Sequence, residues 1–168
     1  MIRFIRFVTE KFVQKPNEKQ LKGAIRTWTG DGHKYARPKT REYIEGAIRK
    51  GPWTKEDSHV YRGTWKAPRM DKNGDHILDH HTSTSRSHLT ASGFAGSHGG
   101  HVVKIHVPAK SRVLHLDPED KGERESIIKK GARLRYDTSK THQEKIGDNH
   151  VTVWHAKLLH DGTTQKGK

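Results

Sequence analysis

Two glutamates, Glu123 and Glu125, stand two residues apart just ahead of a strand-like run. Side chains at i and i+2 of an extended segment share one face, so both carboxylates can point into the same cleft. Two acids held this close repel each other, which can raise the pKa of one and separate their chemical roles. Exposed glutamates in a charged turn are the plain structural alternative. The spacing therefore makes Glu123 and Glu125 candidate catalytic carboxylates.

Arg62 ends a short apolar strand and is followed directly by Gly63. A guanidinium matches the oxygens of a phosphate in a bidentate fork, which a lysine cannot do. Gly63 has no side chain, so a ligand could approach its backbone closely. Taken alone, Arg62 could equally be a surface arginine at the end of a strand. Together with the two carboxylates, Arg62 is a candidate residue for binding a phosphate group.

A hydroxyl-rich strand, Ser83-Thr84-Ser85, follows the arginine, and Phe94 follows that strand at a distance of eleven residues from Ser83. On a strand, Ser83 and Ser85 share one face. A hydroxyl there could hold a ribose or fix a neighbouring glutamate by a hydrogen bond, and the Phe94 ring could stack on a flat ring. A polar edge strand and a core phenylalanine are the structural alternatives.

The elements that position these residues change from helices to strands along the chain. Apolar residues at helical spacing predict helices at 4–12, 21–28 and 43–48, the last closed by Gly51-Pro52. Strands are then predicted at 60–63, 77–85, 101–107, 112–116, 133–137 and 150–159. A short helix is expected at 87–94, a turn at Asn73-Gly74, a polar loop over 138–149 and a frayed tail over the last seven residues. Helices first and strands afterwards indicate an α+β fold.

The composition indicates one soluble domain, residues 1–168, with a helical part at about 1–52 and a β-rich catalytic part at about 56–160. There is no cysteine, and no apolar run approaches the ~20 residues of a membrane span. Arg3 and Arg6 interrupt the apolar start too early for a signal peptide, so we expect a protein that acts in a cytoplasm. The net charge of +14 would attract acidic partners, including nucleic acid or a dinucleotide.

In this order, the motifs resemble those of the mono-ADP-ribosyltransferases of the arginine–serine–glutamate class, which includes clostridial binary-toxin components and phage and bacterial effectors. Tyr61-Arg62-Gly63 is similar to the family's first-strand arginine, and Ser83-Thr84-Ser85 to its Ser-Thr-Ser strand. Phe94 falls where the family carries a ring-stacking aromatic. Further segments that resemble the family are residues 24–30, 102–108, 122–128 and 131–136, so the resemblance spans about residues 20–158.

The resemblance implies a split β-sandwich, in which two small, roughly perpendicular sheets meet at an NAD cleft beside N-terminal helices. NAD would be the co-substrate, and no metal would be needed. Arg62 would bind an NAD phosphate, and the backbone of Gly63 would meet the nicotinamide amide. Ser83, with Thr84 and Ser85, would order the site and position Glu125, and Phe94 would stack on nicotinamide. Glu125 would bind the ribose 2′-hydroxyl and stabilise the oxocarbenium ion as nicotinamide leaves.

In this family Glu123 would mark arginine as the acceptor, because a guanidinium with a pKa above ~12 needs a carboxylate to orient it and take its proton. Water could attack when no acceptor is present, giving NAD hydrolysis as a side reaction. By analogy, the chain would be a phage-encoded or injected effector that modifies a host protein in the host cytoplasm. The high charge favours an acidic or nucleic-acid-bound target, and no membrane partner is expected.

Two other functions fit parts of the sequence. The 14 histidines and the motifs Asp75-His76, Asp79-His80-His81 and Asp148-Asn149-His150 would suit a basic, metal-dependent nuclease. Chelator sensitivity would distinguish it from the transferase. A catalytically silent nucleic-acid-binding protein on the same fold is the second alternative, which salt-dependent binding without NAD turnover would reveal.

Overall fold

The structure, a computed structural model, describes residues 38–96, 98–116 and 124–162. Several predictions lie outside these residues: the helices at 4–12 and 21–28, the segment 24–30, the site residue Glu123, and nearly all of the frayed tail. Within the described residues, no helix has both the length and the apolar composition to cross a membrane.

The chain divides into two compact units, residues 1–51 and 52–168. The first unit contains helix α1, Pro38–Lys50, whose buried side chains include Thr40, Ile44 and Ile48. Their spacing of four residues puts them on one face of the helix. The predicted helix around residues 43–48 is therefore confirmed and is longer than its apolar stripe. That the two units form one domain stays a prediction.

Within the described residues, the second unit contains eight strands and one short helix, α2, His88–Ala95. The strands are β1 Ser58–Thr64, β2 Asp75–Ile77, β3 Thr82–Ser85, β4 His98–Val107, β5 Leu114–His115, β6 Glu125–Ile128, β7 Arg133–Ile146 and β8 Asn149–His160. They form a mixed sheet in the order β2-β7-β8-β4-β1-β3-β6-β5. Only β4 and β8 are paired in parallel among the described strands. The predicted α+β class is confirmed.

The sheet has a weak junction between β1 and β3. These strands share a single paired position, Tyr61 with Ser85, whereas β1 and β4 are paired along seven positions. The junction separates a five-stranded part, β2-β7-β8-β4-β1, from a three-stranded part, β3-β6-β5. The two sheets implied by the resemblance are thus present as two parts of one hydrogen-bonded sheet.

Two apolar clusters lie on opposite faces of the five-stranded part. The larger contains Val60, Val103, Ile105, Ala156 and Leu158 together with Ile128 of the three-stranded part. The smaller contains Val102, Val151 and Val153, covered by Ala91 and Ala95 of α2. Since neighbouring residues of a strand point to opposite faces, Val102 and Val103 belong to different clusters.

Two sequence predictions were wrong in their extent. The strand predicted at 77–85 is broken, because β2 ends at Ile77 and β3 begins at Thr82. The predicted loop at 138–149 is mostly strand: β7 continues to Ile146 and reverses into β8 through a two-residue turn, Gly147-Asp148. This part of β7 is held by main-chain pairing with β8 and by a bond of 2.9 Å from Gln143 Nε2 to Thr152 Oγ1. Because its residues are mostly polar, it lacks the apolar alternation that predicts a strand.

Candidate functional site

The three motifs that lie far apart in the sequence occupy three adjacent strands. Arg62 is on β1, Ser83-Thr84-Ser85 forms most of β3, and Glu125 is the first residue of β6. The sheet order β1-β3-β6 makes the hydroxyl-rich strand the neighbour of both others. Pairing across more than sixty residues of sequence therefore gathers all three at the junction of the sheet.

One row of paired residues crosses these strands. Tyr61 pairs with Ser85, and Ser85 pairs with Glu125. Paired residues of neighbouring strands share a face, and Ser83 shares the face of Ser85 because it lies two residues away. Glu125 is half-buried, with its Oε2 atom enclosed. The structure thus brings Ser83, Ser85 and Glu125 onto one face, as the sequence predicted for the two serines.

Hydrogen bonds from β3 fix the backbone beneath Glu125. The Thr84 hydroxyl, which is buried, donates to the carbonyl oxygen of Ser126 at 2.8 Å. Ser85 Oγ accepts a bond from the backbone N–H of Ser87 at 3.0 Å, and Ser87 Oγ caps α2 by accepting from Thr90 N at 3.3 Å. Thr84 therefore stabilises the pairing of β3 with β6, and Ser85 stabilises the turn that leads into α2.

Arg86 bonds to the backbone of Leu116 and of Arg124, the residue directly before Glu125. Its Nη2 donates to Leu116 O at 3.2 Å, its Nε to Arg124 O at 3.4 Å, and its backbone N–H also donates to Arg124 O at 3.0 Å. Leu116 N in turn donates to Glu125 O at 3.0 Å. The sequence analysis missed Arg86, although its place directly after Ser85 was a usable signal.

The strained backbone at Arg124 shows why this clamp matters. Arg124 has a φ of 43°, a left-handed conformation that costs non-glycine residues free energy. Its carbonyl oxygen accepts both bonds from Arg86, which hold the bend immediately before Glu125. The direction in which Glu125 leaves the turn is therefore set in part by Arg86.

Arg62 lies beside the row of Tyr61, Ser85 and Glu125 and is not a member of it. Strand alternation directs its side chain to the face opposite Tyr61, where its paired neighbour is the buried Val103. Burial lowers the pKa of Arg62, and the nearby Tyr136 and Asp79 oppose that shift. Burial likewise raises the pKa of Tyr136 to about 12, against the effect of Arg62. Tyr136 is a neighbour of the arginine that sequence reasoning did not single out.

The backbone at Gly63 is covered by helix α2. A Cβ atom at this position would lie 1.9 Å from Ala91 O and 2.7 Å from Ala95 N. Packing of the helix is thus a sufficient reason for glycine here, beside the predicted approach of a ligand. Phe94, next to Ala95 on α2, is 56 % exposed and is not the core residue that was its structural alternative.

The described residues contain no group of three or more histidine and carboxylate side chains placed to hold a metal ion. Several residues of the proposed metal motifs have other partners. Asp75 is buried and bound by the guanidinium groups of Arg133 and Arg135, and His81 Nδ1 accepts a bond from Lys130 N at 3.1 Å.

The protein is similar to solved structures of bacterial toxins. No protein-family model and no curated protein sequence matches the chain. C3larvin toxin, an ADP-ribosyltransferase from Paenibacillus larvae, is similar with a TM-score of 0.56 at 13 % identity, over 89 % of this chain and 92 % of that one.

Two components of larger toxins are similar as well. BECa, the ADP-ribosylating toxin of a C. perfringens binary enterotoxin solved with NADH, has a TM-score of 0.60 at 16 % identity, over 89 % of this chain and 44 % of its own. The enzymatic component C2-I of the Clostridium botulinum C2 toxin has a TM-score of 0.60 at 12 % identity, over 86 % and 44 %. This chain has the fold of the ADP-ribosylating bacterial toxins.

Proposed function

We propose that this protein is an NAD-dependent mono-ADP-ribosyltransferase that modifies an arginine side chain of an acceptor protein and releases nicotinamide. The observation that carries the proposal is the strand order β1-β3-β6, which sets Ser83-Thr84-Ser85 between Arg62 and Glu125. The toxin fold supports the transferase part of this proposal independently of the motifs.

The chemical groups at the junction suit NAD. A partly desolvated guanidinium binds a phosphate strongly, because water competes little for its fork, so we assign Arg62 to an NAD phosphate. The exposed ring of Phe94 is available to stack on nicotinamide, and the backbone of Gly63 lies under the same helix. The hydroxyls of Ser83, Thr84 and Ser85 belong to the strand beside Glu125.

Glu125 has the chemical role in this proposal. NAD supplies the ADP-ribose group, with nicotinamide as its leaving group. An enclosed carboxylate on a fixed strand can stabilise positive charge that develops on the ribose, since a preorganised charge costs no reorganisation during the reaction. Ser83 shares its face and would keep the carboxylate oriented.

Glu123 would set the choice of acceptor. A guanidinium stays protonated at neutral pH, so an arginine acceptor needs a carboxylate to orient it and to accept its proton as it attacks. Glu123 precedes Glu125 by two residues and would fill that role. Water would replace the acceptor in its absence, giving NAD hydrolysis.

The acceptor is proposed to be a protein of a host cell, with this chain acting in the host cytoplasm as a phage-encoded or injected effector. The names of the similar structures, which are bacterial toxins, support this setting. The net charge of +14 favours an acceptor that is acidic or bound to nucleic acid.

Labelled NAD incubated with bacterial lysate tests the proposal. The native protein should label discrete protein bands through bonds to arginine, as mass spectrometry of the modified peptide would establish. Glu123→Gln should lose labelling while retaining nicotinamide release, and Glu125→Gln should lose both. The exposed Glu56, changed to Gln, is the matched control and should behave as the native chain.

Labelling by the native chain on a residue other than arginine would contradict the acceptor assignment and leave the transferase intact. Labelling by Glu125→Gln at the native rate would contradict the assignment of the catalytic carboxylate.

A further inference from the structure

The five-stranded part of the sheet carries basic side chains on the same face as α2, beyond the residues that the helix covers. His59 pairs with His106, His106 with Lys157, and Lys157 with Arg135, which makes one row across β1, β4, β8 and β7. Two residues further along, Tyr61, Lys104, His155 and Asp137 make the next row on the same face. We call these two rows the basic face.

A groove of about 760 Å³ opens on the basic face. Its lining includes His59, His106, Lys157, Arg135 and His155. The imidazole rings of His59 and His106 have centroids 5.4 Å apart, and those of His155 and the exposed His142 are 5.6 Å apart. Flat rings and cations therefore line the same open groove.

The carboxylates in and beside the groove have partners within the protein. Asp57 accepts bonds from His106 Nε2 at 3.0 Å and from Ala109 N at 2.8 Å. Asp137 pairs with Lys140 Nζ at 3.0 Å. Arg135 Nε donates to the buried Asp75 at 2.8 Å. The two lysines of the basic face are Lys104 and Lys157. They lie in neighbouring rows on β4 and β8, the two central strands of the four.

The dimensions indicate the kind of ligand. Four adjacent strands span about 14 Å at a spacing of about 4.8 Å, which is longer than one phosphate group can fill. Proteins that hold single-stranded nucleic acid combine a basic groove for the backbone with flat rings on which bases stack. We propose that the basic face binds a single strand of nucleic acid, with its phosphates at Lys104 and Lys157 and its bases against the histidine rings.

Protonation should be linked to this binding. Burial lowers the pKa of both His59 and His155, and the nearby charge of Lys104 lowers both further. Phosphates placed among these groups would offset that repulsion, so binding should take up protons and strengthen as the pH falls from 8 to 6. The titratable and charged groups around the two rings are Asp57, Lys104, His106, Arg135, Asp137, Lys140, His142, Glu144 and Lys157.

The test compares variants in binding to a fluorescently labelled single-stranded oligonucleotide, by anisotropy over a series of salt concentrations and without NAD. In the double variant Lys104→Gln/Lys157→Gln we expect affinity to fall roughly tenfold and the salt slope to shrink by about 1.4, at about 0.7 for each phosphate that a lysine no longer neutralises. A second double variant gives the matched control because it removes the same charge from exposed lysines elsewhere, Lys130→Gln/Lys145→Gln. Lys145 pairs with His150, about 23 Å along β8 from Lys157.

Equal losses in the two double variants would overturn the proposal, because the oligonucleotide would then be responding to net charge alone. Competition by polyglutamate as effective as that by unlabelled oligonucleotide would also overturn it, since the rings would contribute nothing. Nicotinamide release should be native in both double variants, so failure of this proposal would be distinct from failure of the transferase assignment.

Discussion

The contact between α2 and β1 can be tested with one small substitution, Gly63→Ala. The added Cβ would stop 1.9 Å from Ala91 O, about 1.5 Å inside ordinary van der Waals distance. The nearest atoms, in Ala91 and Ala95, are all backbone, so no side-chain rotation can relieve the overlap. The helix must shift as a unit, and the neighbouring strand leaves it equally little room, since a Cβ added at Gly100 would lie 1.9 Å from Ala95 O.

The expected cost is at the upper end of the range for overpacked cores, about 3 kcal/mol. In a chain of this size, 1 kcal/mol shifts Tm by roughly 2–4 °C, so Gly63→Ala should lower Tm by roughly 6–12 °C. Gly93→Ala is the matched control, because a Cβ at this exposed position of the same helix meets nothing within 4 Å. Replacing a helical glycine by alanine should stabilise by roughly 0.5–1 kcal/mol.

Thermal unfolding followed by circular dichroism measures both effects. A lower Tm in Gly63→Ala and a higher Tm in Gly93→Ala would support the packing of α2 on β1. A Gly63→Ala variant as stable as the native chain would refute this reasoning, as would a Gly93→Ala variant that is destabilised to the same degree.

Three further predictions follow from the site and its surroundings. Arg62→Lys keeps the charge but loses the bidentate fork, so steady-state kinetics should show a KM for NAD raised roughly tenfold with kcat less affected; an unchanged KM would remove Arg62 from the NAD site. Arg86→Gln should lower kcat roughly tenfold with little change in KM, because the turn before Glu125 loses its clamp; Arg86→Lys should restore part of the loss, and a rise in KM alone would contradict a positioning role. Asp75 has a pKa lowered to about 2 by Arg135 and Arg133, so its contribution to the free energy of unfolding is present above pH 4 and is lost as the pH falls towards 2. Asp75→Asn should lower Tm at pH 7 and remove that part of the pH slope in urea titrations, and an unaltered slope would show that the pairing is not linked to folding.

The two helices were predicted from signals within their own sequences. Ser87 caps α2, and apolar residues mark one face of α1, so both helices could be read from the chain. The end of β7 could not, because its polar residues are held by pairing with β8 and bury almost nothing. Gly147-Asp148, where Gly147 has a φ of 61°, is a two-residue hairpin signal that the predicted loop over 138–149 left unused.

The site divides in the same way. Motif order predicted Arg62, Ser83-Thr84-Ser85 and Glu125 as site residues, because each combines a reactive group with a recognisable neighbour. Arg86 and Tyr136 act through contacts that form only on folding, so their places in the sequence do not predict those contacts. The basic face likewise exists only through the register of four strands, which brings His59, His106, Lys157 and Arg135 together from four parts of the sequence.

The most direct test of the account is nicotinamide release from NAD by the purified protein, native and Glu125→Gln, with a small guanidino compound as acceptor. Glutamine keeps the shape of the side chain and removes its charge, so folding should be preserved. The account predicts release coupled to ADP-ribosylation of the guanidino group by the native chain and a loss of at least roughly a hundredfold in Glu125→Gln. Equal rates in the two proteins, or no release by a folded native protein, would contradict it.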